Sequence, residues 1–94
     1  MKLERTPNGL IELRLSDNPD DFIRLAETVR THLKGKWTQK VDGLDQSYWD
    51  LDVGGETLTY HREHYLGVSV FCKSEEAKLK LLENLKIALE KNQS

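Results

Sequence analysis

Hydrophobic positions recur along this chain with two different periods, and the switching between them lays out the expected elements. From Leu10 to Leu15, the apolar Ile11, Leu13 and Leu15 alternate with Glu12 and Arg14, the period of two that turns one strand face into a core. Phe22, Leu25, Ala26, Val29 and Leu33 then repeat at helical spacing. Asn18 is a suitable N-cap, Pro19 fits the first helical position, and Asp20 and Asp21 bring carboxylates to the positive end of the helix dipole. The spacing predicts a helix over 19–34, closed by Gly35 in a left-handed cap. Period two returns at Trp37–Val41, with Trp37, Gln39 and Val41 on one side, and again at Ser47–Val53, Glu56–His61 and Tyr65–Cys72. After Ser74, another N-cap, a second helix runs to about Lys91. Its Ala77, Leu81, Leu82, Leu85, Ala88 and Leu89 form one apolar arc, Leu79 and Ile87 fall outside it, and Asn92–Ser94 are expected to fray.

The order β-α-β-β-β-β-α predicts an α+β fold, an antiparallel sheet of four to five strands with two helices on one face. The chain has 94 residues, read as a single domain over 1–94. A chain of this size buries roughly 60 to 70% of its unfolded surface, so folding requires neither a metal nor a disulfide.

Two glycines fix the register at the centre of the chain. Gly54-Gly55 supplies the positive φ that a two-residue hairpin turn demands, which pairs Val53 with Glu56, Leu51 with Leu58 and Trp49 with Tyr60 on a core face. The opposite face then carries Asp52 beside Thr57, Asp50 beside Thr59 and Tyr48 beside His61, neighbours with Cβ atoms ~5 Å apart. A three-residue turn at Arg62–His64 would place Tyr65 opposite His61, Gly67 opposite Thr59 and Ser69 opposite Thr57, with Leu66, Val68, Val70 and Cys72 inward. The open face becomes an aromatic row of Tyr48, His61 and Tyr65, an acidic pair of Asp50 and Asp52, hydroxyls at Thr57, Thr59 and Ser69, and an outward Phe71. That is more aromatic area than a solvated sheet face requires.

Charge narrows the choice of partner. The net charge is only −2, but no Lys or Arg occurs between Lys40 and Arg62, where Asp42, Asp45, Asp50, Asp52 and Glu56 fall. Elsewhere basic residues are interleaved with acids along the helices, without the clustering that phosphate binding needs, so nucleic acid is not an expected partner. No apolar run approaches the ~20 residues of a membrane span. The lone Cys72 cannot form an intramolecular disulfide and has core parity, and Met1–Arg5 lacks the apolar run of a secretory signal, so the cytoplasm is the expected compartment.

The expected function is therefore a non-catalytic protein-interaction module that needs no cofactor. It docks a protein partner or a second copy of itself through the exposed face of the 47–72 meander, by Tyr48, Asp50, Asp52, His61, Tyr65 and Phe71. The acidic residues favour a basic partner surface. The alternative is a small enzyme or metal-dependent protein centred on Asp50 and His61, with Asp50 orienting an imidazole base across the strands. A metal would draw on Asp50, Asp52, His61 and His64, but carboxylates two apart on a strand stand nearly parallel and ~7 Å apart.

Two resemblances bear on this reading. Helix-strand-strand-strand-helix from Pro19 to Lys91 resembles the double-stranded-RNA-binding domain, and Lys73–Lys78 lies where that family opens its second helix with Lys-Lys-x-Ala-Lys. Glu75 and Glu76 stand where phosphate-contacting lysines would be, and no Gly-Pro-x-His element precedes the central hairpin, so RNA contact is not expected. The run Tyr48-Trp49-Asp50-Leu51-Asp52, followed by a glycine turn and a second strand, resembles an uncharacterised family of roughly hundred-residue bacterial proteins. That resemblance implies a bacterial cytosolic α+β protein and supplies no catalytic residues.

Overall fold

A computed structural model of the chain describes residues 1–91, so the fraying expected of Asn92–Ser94 lies outside the described residues. Strands β1 (Lys2–Arg5) and β2 (Leu10–Ser16) precede α1 (Phe22–Leu33). Strands β3 (Lys36–Asp42), β4 (Gln46–Val53), β5 (Glu56–Glu63) and β6 (Gly67–Lys73) follow, and α2 (Glu76–Lys91) closes the described chain. All six strands form one antiparallel sheet in the order β1-β2-β6-β5-β4-β3.

The fold is α+β with two helices, but the sheet has six strands instead of four to five, and the element order becomes β-β-α-β-β-β-β-α. The extra strand is β1, whose only apolar residue is Leu3 and which holds one sheet edge against β2. It is made possible by the Thr6–Gly9 turn, where Thr6 N–H donates to the Leu10 carbonyl at 2.9 Å and Gly9 takes a φ of 82°. A Pro-Asn-Gly run before an alternating strand is a hairpin signal, and here it outweighs the charged composition of Lys2–Arg5.

The core lies between one face of the sheet and the two helices. Ile11, Leu13, Leu51, Leu58, Tyr60, Val68 and Val70 point inward from the strands, against Phe22, Ala26, Val29 and Leu33 of α1 and Leu82, Leu85 and Leu89 of α2. The Phe22 ring stacks on Tyr60 with centroids 4.5 Å apart, and the Tyr60 hydroxyl donates to the Phe22 carbonyl at 2.5 Å, fixing α1 to the middle of β5. In α2 the packed stripe runs Leu79, Leu82, Leu85 and Leu89, while Ala77 is exposed. Leu79 therefore belongs to the core side, and Ile87 is the true outlier. Neither described helix is long and apolar enough to cross a membrane.

Two details around β3 depart from the sequence expectation. Lys34, not Gly35, takes the left-handed cap of α1, with a φ of 55° and its N–H on the Thr31 carbonyl. Gly35 is required for space: a Cβ there would lie 2.6 Å from the Leu51 side chain. Strand β3 carries a bulge between Trp37 and Gln39, so parity flips along it. Trp37 stays on the core side against Trp49, whereas Gln39 and Val41 turn to the open side, opposite Asp50 and Tyr48.

Candidate functional site

The β4–β5 hairpin forms in the register that its two glycines dictate. Gly54 and Gly55 have φ of 58° and 91°, and the pairs run from Val53–Glu56 through Asp52–Thr57, Asp50–Thr59 and Tyr48–His61 to Gln46–Glu63. Because Leu51, Leu58, Trp49 and Tyr60 are drawn under the helices, Tyr48, Asp50, Asp52, Thr57, Thr59 and His61 are left on the face that no helix covers.

The next hairpin is shifted. Strand β5 runs on to Glu63, and the three-residue turn is His64–Leu66, with Leu66 N–H on the Glu63 carbonyl at 3.2 Å. His61 therefore faces Ser69, Thr59 faces Phe71 and Glu63 faces Gly67. Tyr65 is not part of the aromatic row: it sits in the turn, 83% exposed, edge-on to His64. Leu66, expected inside, is exposed beside it. Gly67 decides the shift, since its φ of 104° and the Ser16 carbonyl, 2.1 Å from where a Cβ would be, allow only glycine at that corner.

Phe71 takes the place that Tyr65 was expected to fill. The Tyr48 and His61 rings stack at 4.4 Å and 16°, and the Phe71 ring stands edge-on to both, 5.7 Å from His61 and 6.5 Å from Tyr48. These contacts half-bury the His61 imidazole and close off Nε2, which has no hydrogen-bond partner among the described residues. Burial holds the His61 pKa below its ordinary 6.5; Glu63 and Glu12 oppose the shift, while Arg62 and Arg14 add to it. Tyr48 donates its hydroxyl to Gln46 Oε1.

Asp50 does not orient His61. Its carboxylate accepts a hydrogen bond from Thr59 Oγ1 at 2.9 Å, directly across the strand pair. Asp52, half-buried, lies between Lys36 and Thr57 in the ladder. No group of three His, Cys, Asp or Glu residues with metal-site geometry occurs among the described residues. Cys72 is buried on the core side, and burial pushes its thiol pKa up to about 11, which keeps it protonated and unreactive.

Several residues of this face were not legible as neighbours in the sequence. Strand β2 lies next to β6 and brings Glu12 beside Phe71 and Arg14 beside Ser69, and the β3 bulge brings Val41, 51% exposed, beside Tyr48. The face is consequently mixed in charge, not acidic: Arg14, Lys36 and Lys73 share it with Asp50, Asp52 and Glu12. The alternation of β2 marked Glu12 and Arg14 as outward, but nothing local says which strand they adjoin. At the Gly55 end, Thr57, Thr59, Phe71 and Lys73 line an open hollow of about 420 Å³.

Comparison with known proteins finds no family model that matches this chain, no similar curated protein and no similar solved structure. The resemblance carried by Tyr48–Asp52 rests on those residues alone.

Proposed function

We propose that this chain is a non-catalytic protein-interaction module that docks through the helix-free face of β4, β5 and β6. Tyr48, His61 and Phe71 form the aromatic centre of that face, Asp50 and Asp52 flank it, and Tyr65 stands at its rim. Following the Tyr48–Asp52 resemblance and the single reduced cysteine, its setting is the bacterial cytoplasm.

The observation that carries this reading is the three-ring cluster with a buried imidazole nitrogen that has no partner. Folding needs no aromatic packing on a solvated face, and a buried polar atom left unpaired costs about 1–3 kcal/mol. A docked surface buries the parts of the three rings that remain exposed. Rings with polar tips give an interface rigid contact area at little entropic cost. The sheet edges suit association less well: β1 is four residues long, and β3 is bulged and carries Lys36 and Lys40.

The reading is tested with Tyr48→Ala/Phe71→Ala, after circular dichroism has established that the variant folds. Light scattering and recovery of bound protein on an affinity-tagged chain are compared with wild type. Loss of assembly or of the bound protein supports the docking face; unchanged assembly and unchanged recovery remove it.

A further inference from the structure

Resting on the docking face proposed above, we infer that its occupant is a second copy of this chain, packed face to face about a two-fold axis that runs along β5. Strand order and charge together select this arrangement. With β5 on the axis, its neighbours exchange places, so that β4 of each copy lies over β6 of the other and β3 lies over β2.

The ladder fixes which residues then meet. Asp50, Thr59 and Phe71 share one row, and one step toward the Gly55 turn, continuing the β5–β6 register beyond its last pair, Asp52 and Thr57 come level with Lys73. Asp52 of each copy therefore falls on Lys73 of the other, at the hollow of about 420 Å³ that Thr57, Phe71 and Lys73 line together with Glu75 and Lys78, which pair with each other. Asp52 and Lys73 stay outside the neighbouring salt bridges, in which Lys78 holds Glu56 and Glu75. In the same arrangement Asp50 meets Phe71, Gln39 meets Glu12 and Tyr48 meets Ser69, so no like charges oppose each other across the middle of the face.

Two alternative two-fold placements fail that criterion. Moving the axis between β5 and β6 puts Asp50 over Glu12, and turning it across the strands at the Asp50 row puts Asp50 over Asp50 and Glu12 over Glu12. Like charges brought together in an interface are strongly unfavourable. With the axis on β5, its open-face residues Thr57, Thr59, His61 and Glu63 each approach their own copy, and the one carboxylate among them is Glu63. It lies at the strand end, where the ~30° angle between packed sheets swings the two apart.

The area is adequate. Five overlapping strands at about 4.8 Å spacing and about seven residues of ~3.3 Å rise cover roughly 550 Å² in projection, which side-chain relief raises toward the ~800 Å² per partner of a standard interface.

Sedimentation equilibrium tests this with wild type, Asp52→Lys, Lys73→Glu and an equimolar mixture of the two variants, each shown to be folded by circular dichroism. The expected result is a wild-type dimer at high micromolar concentration, at least about tenfold weaker dimerisation of each variant alone, and recovery on mixing, because both cross-contacts again pair opposite charges. A monomeric wild type overturns the second copy, and so does a dimer that mixing fails to restore. A monomeric wild type that still holds another protein, and loses it in Tyr48→Ala/Phe71→Ala, overturns the second copy while leaving the docking face intact.

Discussion

The two faces of the central strands are built from alternate residues of the same segments, yet they obey different rules. On the covered face Leu51, Leu58, Tyr60 and Val70 are almost wholly inaccessible, and Tyr60 satisfies its hydroxyl on the Phe22 carbonyl. On the open face Tyr48 remains 39% exposed, and His61 keeps a buried nitrogen unpaired. Packing accounts for these core side chains. The open face holds an aromatic cluster that no helix covers, and the docking role proposed above rests on that difference.

On this division, substitutions on the two faces are expected to separate stability from association. Tyr60→Ala removes a ring stacked on Phe22 and a buried hydrogen bond, and is expected to lower the unfolding free energy by about 3–5 kcal/mol in urea titration. Gly35→Ala forces a Cβ against Leu51 on the same covered face and is expected to cost about 1–3 kcal/mol by the same measurement. Tyr48→Ala, one position from buried Trp49, is expected to change stability by less than about 1 kcal/mol while weakening association. A loss comparable to that of Tyr60→Ala would make the open cluster part of the core and dissolve the contrast.

The smallest effect is a pH step. Burial depresses the folded-state pKa of His61 below 6.5, so on acidification the unfolded chain takes up its proton first. Its contribution to stability is therefore complete above pH 6.5 and is lost as the pH falls from there toward the folded value. The urea midpoint of wild type is expected to fall across that window and that of His61→Phe to stay flatter. The carboxylates of Asp21, Asp42 and Glu75, held below their ordinary 3.8 and 4.5 first by hydrogen bonds from Ser16, Trp49 and Lys78 respectively, lose their contributions as the pH falls through and below those values, so the step that begins at pH 6.5 is not theirs.

The two hairpins show what made one half of this site legible and the other not. Gly54-Gly55 admits one turn, so every β4–β5 pair follows from it. Between β5 and β6 the turn lies two residues later than the charged run Arg62–His64 suggested, which slides the register by four residues. An even slide leaves Val68, Val70 and Cys72 inward in either case, so the apolar pattern cannot distinguish the two; the approach of Gly67 to Ser16 does, and it depends on where β2 lies. For the same reason Glu12 and Arg14 were readable as outward but not as neighbours of Phe71 and Ser69. In β3 a single bulge reversed Gln39 and Val41, a change of parity that Trp37, Gln39 and Val41 conceal because each suits either side.

The central claim is that a second copy covers the Tyr48–His61–Phe71 face in solution. Hydroxyl-radical footprinting of the full chain at low and high protein concentration tests it most directly, with Tyr65, exposed in its turn beyond the cluster, as the internal reference. The account predicts that oxidation of Tyr48 and Phe71 falls as the protein is concentrated while that of Tyr65 changes less. Equal oxidation of Tyr48 and Phe71 at both concentrations would contradict it.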